Sequence, residues 1–198
     1  MNSALAKPAE TGKADEPWKE ELERFLSDAK RVLVLGIGNE IRADDGVGTH
    51  VAKSLRRACV RNPLKMPCLA VPGGAAPENF IGPALEFGPS HIVIVDAMAR
   101  GARPGSISTI DPARLGGVSL SSHSMPRGVL RDYLLNSGHR RLLVLGVQPS
   151  TIGLGMGMSR EVKSSARRIV RALLKALARG AESVRRPIPP SARRTHFR

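Results

Sequence analysis

Aromatic residues are nearly absent from this chain: one Trp, one Tyr and four Phe make up 3% of its 198 residues. Its core must therefore be aliphatic, and it has few rings on which nucleic-acid bases can stack. Cysteine is equally sparse. Cys59 and Cys68 form neither a disulfide framework nor a metal-ligand spacing, and read as small buried hydrophobes. No charged-then-apolar leader precedes the first strand-like segment. No apolar run approaches the roughly 20 residues that a membrane span requires. A soluble, cytoplasmic protein without a membrane span is the expectation. There is no Gly-x4-Gly-Lys-Ser/Thr loop to cradle a phosphate. No nucleophile elbow surrounds Ser121 and Ser122, which argues against a serine hydrolase. The turn Gly36-x-Gly38 lacks the third glycine of a dinucleotide fingerprint. Ile41 stands there, and the second strand ends in Val71-Pro72 instead of an acidic residue for a ribose.

What the chain does have is ordinary globular composition, 41% hydrophobic and 24% charged, and a length suited to one α/β domain. Positive charge is in excess, +14 overall. Between Arg160 and Arg198 twelve Lys/Arg face two Glu, so +10 falls in the last 39 residues. Such a tail suits an acidic partner, nucleic acid or anionic lipid. It equally suits a solvated helix face followed by a disordered end. Only one aromatic, Phe197, interleaves with these Arg residues, which favours the second reading and makes nucleic acid an unexpected partner.

Residues 1–30 read as a flexible leader ending in a short helix, with Trp18, Leu22 and Phe25 on one side. Residues 31–180 form the domain, and residues 181–198 a basic, disordered tail. Within the domain Arg31–Gly36, Cys68–Val71, His91–Val95 and Leu142–Val147 are short apolar runs. Such runs suit strands buried on both faces of a parallel sheet. Ser106–Ile110 alternates as an antiparallel edge strand does. Helical spacing recurs at Val47, Val51, Leu55 and Ala58, and again at Met125, Val129, Leu130, Tyr133 and Leu134. A weaker helical stretch runs from Pro77 to Phe87. The clearest stripe, Val162 to Leu177, is ended by Gly180. No internal repeat is present. This alternation predicts a three-layer α/β/α fold with a mainly parallel sheet of about five strands.

In such a fold the site lies beyond the carboxyl ends of the strands. Three segments occupy those positions: Gly36-Ile37-Gly38-Asn39-Glu40-Ile41-Arg42-Ala43-Asp44-Asp45-Gly46-Val47-Gly48, then Asp96-Ala97, then Ser121-Ser122-His123-Ser124-Met125-Pro126. Asp45, Asp96 and His123 can converge there. Two carboxylates and an imidazole suit a divalent metal of borderline hardness, with positions left open for water or substrate. Each residue also has a plainer reading. Asp45 can cap a helix, and His123 can be structural or exposed. Asp96 ends an apolar strand, where a carboxylate is costly unless it is paired or used.

Taken together, these segments resemble the conserved blocks of the hydrogenase maturation endopeptidases, which process the large subunit of [NiFe]-hydrogenases. GIGNEIRADDGVG resembles their N-terminal signature. GGAAPENF, from Gly73 to Phe80, resembles their Gly-Gly segment, closest to the branch serving formate-hydrogenlyase-type and archaeal hydrogenases. IVIVDAMARGARPGSI, SSHSMP and LLVLGVQP follow in the same order. The resemblance spans about Arg31 to Lys175. It places the family's metal-binding positions on Asp45, Asp96 and His123. It suggests substrate recognition by Gly73 and Gly74, for which a tight turn is the structural alternative. Many relatives carry Asp before the paired glycines, where this chain has Pro72.

What the resemblance implies is a nickel-dependent endopeptidase that removes the C-terminal extension of a [NiFe]-hydrogenase large-subunit precursor. The nickel is expected to arrive in the substrate, with no tightly bound intrinsic metal, and the protein is expected to act as a monomer. A second reading, from a different class, is a non-catalytic protein that docks on a precursor or nucleic acid through its basic tail.

Overall fold

The structure, a computed structural model, describes residues 16–62, 64–114, 126–136 and 140–179. Five strands form one sheet: β1 (Val32–Ile37), β2 (Cys68–Gly74), β3 (His91–Ala97), β4 (Ile107–Ile110) and β5 (Arg141–Val147). Their order is β2-β1-β3-β5-β4. β1 pairs in parallel with β2 and β3, and β3 with β5. β4 closes one edge antiparallel to β5. The helices are α1 (Pro17–Leu26), α2 (Val47–Arg61), α3 (Glu78–Glu86), α4 (Arg127–Leu135) and α5 (Arg160–Arg179).

The sheet is covered on both sides, which is why its central strands are continuously apolar. Val32, Val34, Val93, Val95 and Leu145 meet Leu22 of α1, Val51 and Leu55 of α2, and Ile169 and Leu173 of α5. The alternate residues Leu33, Leu35, Ile92, Ile94 and Val144 meet Ile81 of α3 and Leu130 and Leu134 of α4. Each such side chain contributes about 1.5–3 kcal/mol by leaving water. The expected α/β/α architecture with an antiparallel edge strand is the one observed.

Three features refine the expectation. The apolar side of α1 (Trp18, Leu22, Phe25, Leu26) is buried in the same core. Glu23 of α1 also pairs with Lys175 (2.8 Å) and Arg179 (3.0 Å) of α5. Next, β2 runs three residues beyond Val71, through Pro72, Gly73 and Gly74. As an edge strand it tolerates a proline, whose missing N–H can face solvent. Finally, Cys59 and Cys68 are half-buried against the first core cluster, with both thiols free. Among the described residues no helix is long and apolar enough to cross a membrane. The segment containing His123, the helix stop at Gly180, the first 15 residues and the basic tail lie outside the described residues.

Candidate active site

From β1 the chain crosses to β2 on one side, then returns to place β3 on the other side of β1. A crevice opens at such a switch point, beyond the carboxyl ends of the two central strands. Asp45 belongs to the short 3-10 turn Ala43–Gly46 that follows β1, and Asp96 is the penultimate residue of β3. The turn packs directly against β3. The two carboxylates therefore flank the switch point, Asp45 in the turn after β1 and Asp96 near the end of the adjacent strand β3.

The loop carrying Asp45 is held by contacts that only small residues allow. Gly38 has φ +122°, and a β-carbon there would overlap the Asp45 carbonyl oxygen. A β-carbon on Gly48 would overlap the carbonyls of Ile37 and Val95, so glycine lets the first turn of α2 lie directly on β1 and β3. The Asn39 N–H donates to Asp45 Oδ2 at 2.9 Å. Asn39 Oδ1 accepts from the Ile41 N–H at 3.1 Å, a side-chain mimic of a backbone turn. The Thr49 hydroxyl closes the loop by donating to the Gly38 carbonyl at 2.8 Å. Ala43, just before the acidic pair, has φ +50°, a left-handed conformation uncommon for a residue with a β-carbon. Asp45 itself is 9% exposed.

Asp96 is 1% exposed. By strand alternation it continues the row of Ile92 and Ile94, on the face that α3 and α4 cover. Beyond it, Met98 N–H donates to the Val147 carbonyl at 2.9 Å. Gln148 Oε1 accepts from the N–H groups of Arg100 (2.7 Å) and Ala102 (3.3 Å). Gln148, in the LLVLGVQP block, thus orders the segment leaving Asp96, a role not legible from the sequence.

Asp44 is the more consequential omission. It is fully buried. Its Oδ2 accepts from the N–H groups of Ser150 (2.8 Å) and Thr151 (3.1 Å), and its Oδ1 from Ser159 (2.6 Å). Its own N–H donates to the Thr151 carbonyl at 3.1 Å. The adjacent carboxylates thus serve separate ends: Asp44 ties down a distant loop, while Asp45 stays at the crevice. The Asp-Asp pair itself was the available signal, since two neighbouring carboxylates in a tight turn cannot share one direction.

Of the residues singled out from the sequence, Asp45 and Asp96 come to the same edge. Gly73 and Gly74 end β2 beside it: the Gly38 N–H donates to the Gly74 carbonyl at 2.9 Å. Both glycines are in the strand, and the turn begins at Ala75. Gly74 has φ +65°, with open space where a β-carbon would point. His123 lies outside the described residues. Among the described residues alone, no three His, Cys, Asp or Glu side chains gather as a metal site. A surface cavity of about 520 Å³, lined by Glu21, Phe25, Asp111 and Arg141 among others, lies at the amino end of β5, opposite the crevice.

A family model for hydrogenase maturation proteases matches residues 49–176. The chain belongs to the hydrogenase maturation proteases. It is accordingly a hydrolase of the endopeptidase type. The hydrogenase 3 maturation protease of Escherichia coli K12 is 32% identical over 134 residues, 67% of this chain and 82% of that one. The crystal structure of the maturation protease HycI from Thermococcus kodakarensis KOD1 superposes with a TM-score of 0.70. It has 30% identity over 79% of this chain and 98% of that one. A crystal structure of a hydrogenase 3 maturation protease gives a TM-score of 0.60 at 32% identity, over 73% and 89% of the two chains. The family match begins just after Asp45 and includes Asp96 and the position of His123.

Proposed function

We propose that this maturation protease removes the C-terminal extension of a [NiFe]-hydrogenase large-subunit precursor in the cytoplasm, acting as a monomer. In this reading it recognises nickel already installed in the substrate. Asp45, Asp96 and His123 are its ligands to the substrate-borne ion and its catalytic set. The observation that carries this reading is the pair Asp45 and Asp96 on either side of the switch point between β1 and β3. Position 123 lies shortly before α4 in sequence, separated from it by residues 124–126, and α4 covers the face along which Asp96 is aligned.

Two carboxylate oxygens and an imidazole nitrogen are a donor set of matching hardness for nickel. The set is incomplete, which leaves room for groups that the substrate contributes. A divalent ion so held can polarise the scissile carbonyl or a water. The chain's own part is to orient and to exclude water. The Asn39 N–H fixes one oxygen of Asp45, and β3 carries Asp96 into a nearly dry setting. Charge on the two carboxylates is mutually unfavourable without a cation and is relieved by one. Gly73 and Gly74 then lie where an extended substrate strand can approach the backbone closely. The test is incubation of the purified protein with nickel-loaded precursor. Wild type should shorten the large subunit, and Asp45→Asn, Asp96→Asn and His123→Ala should each abolish cleavage with a nearly unchanged Tm. Equal cleavage of nickel-free precursor would remove the nickel dependence.

A further inference from the structure

Large apolar side chains are exposed in few places among the described residues, and three of them sit beside the crevice. Ile41 is 66% exposed, Leu154 72% and Met156 54%. They belong to two loops more than a hundred residues apart in sequence that the fold fastens together. The Gly155 N–H donates to the Ile41 carbonyl at 2.9 Å, so Leu154 and Met156 flank the residue bonded to Ile41. Ile41 in turn lies between Asn39 and Asp45, the two partners of the hydrogen bond that orients the Asp45 carboxylate. The second loop is not loosely placed. Both of its ends, at Ser150–Thr151 and at Ser159, are hydrogen-bonded by the buried carboxylate of Asp44. Gly155 takes φ +71° to turn the tip.

A buried carboxylate with three backbone donors is a costly way to hold a loop whose tip offers only leucine, methionine and glycine to water. Exposed apolar side chains gathered at the mouth of a site mark a surface that a partner covers. Unbranched methionine between glycines adapts its shape to what covers it.

We propose that Ile41, Leu154 and Met156 form an apolar docking rim for the hydrogenase precursor, receiving a hydrophobic stretch of the protein substrate next to the bond to be cut. This rests on the precursor being the substrate, as proposed above. The occupant is argued from continuity with the crevice. A chain that reaches Asp45 from the side of this loop passes over the rim, and a protease acting on a folded precursor needs contacts beyond the scissile bond. The rim contributes binding, while Asp45 and Asp96 contribute chemistry.

The experiment measures the Kd of full-length protein for immobilised nickel-loaded precursor, alongside the kinetics of cleavage. Wild type is compared with the triple variant Ile41→Ser, Leu154→Ser, Met156→Ser. All three side chains are more than half exposed, and the one side-chain hydrogen bond among them is a long one from the Thr151 hydroxyl to Met156 Sδ (3.9 Å), so the variant should stay close to the wild-type Tm. Kd and KM should rise on the order of ten- to a hundredfold with kcat changed less than about threefold. Unchanged Kd and KM would overturn the rim, as would an effect confined to kcat. A change in oligomeric state by light scattering, with precursor affinity intact, would reassign the rim to self-association and also overturn it. Wild type that binds precursor without cutting it would sink the proteolytic reading of this site while leaving the rim measurable through Kd. Wild type that does not bind precursor overturns the rim.

Discussion

Replacing Asp44 with alanine deprives three backbone N–H groups, those of Ser150, Thr151 and Ser159, of their acceptor. Bonds to a charged group contribute about 1.5–3 kcal/mol each. These donors are partly buried, so water replaces some of what is lost and the low end of that range applies. The expected destabilisation is about 3–5 kcal/mol. With a urea slope of roughly 2 kcal/mol per molar, the unfolding midpoint should fall by roughly 1.5–2.5 M. Asp44→Asn keeps the shape but turns an amide N–H toward one of the donors, and should cost about half as much. Hydrogen exchange supplies the local readout. Protection should collapse across residues 150–159 in both variants while β1 and β3 keep theirs. A loss below about 1 kcal/mol in Asp44→Ala, or unchanged protection of that loop, would refute the reasoning. Either result would show that the loop satisfies its own donors and that Asp44 does not place it.

The remaining expectations concern backbone, pH and the tail. Gly48→Ala would press a β-carbon into the carbonyls of Ile37 and Val95. It should cost upward of about 3 kcal/mol, and a near-neutral effect in denaturant titration would mean that α2 shifts freely. Gly74→Ala meets no neighbour but keeps φ +65°, so it should cost only about 1 kcal/mol. Lost precursor binding beyond that small cost would support recognition by the Gly73–Gly74 segment, whereas an effect on stability alone would favour a turn role. His91 is buried at the start of β3, and burial holds its imidazole below the ordinary 6.5, although Asp28 opposes the shift. His50 is displaced in the same direction, by burial first and then by Arg57. The unfolded chain therefore takes up these protons before the folded one. The contribution is full above pH 6.5 and falls as the pH drops through that value toward the folded pKa values. Unfolding at pH 7.5 and 5.5 should show this, less so in His91→Gln, and greater stability at the lower pH would contradict it. Truncation after Gly180 should leave cleavage largely intact, because the remaining residues contain no catalytic motif. Lost turnover in a folded truncation would assign the tail to substrate recruitment.

Much of the architecture could be read before any coordinates, because burial on both faces leaves a direct mark. The middles of β1, β3 and β5 have no polar face, so each appears as an apolar run, Val32–Ile37, Ile92–Val95 and Leu142–Val147, with polar residues only at the strand ends. The stripe on α5 recurs at helical spacing because only one side of it meets the sheet. The end of β2 was less legible. Pro72, Gly73 and Gly74 look like a turn, and an edge position is what lets them pair as strand. Asp96 announced itself by ending an apolar strand, and Asp45 by following one. What local pattern could not separate was Asp44 from Asp45. They are the same residue type in the same 3-10 turn, and differ only in what the fold brings within hydrogen-bond distance. For Asp44 that is a loop more than a hundred residues later in the chain. For Asp45 it is Asn39, at the mouth of the crevice. Periodicity and composition encode burial, which is averaged over many residues and survives in one dimension. The partner of a single carboxylate is a long-range coincidence of two loops, and only the folded chain decides it.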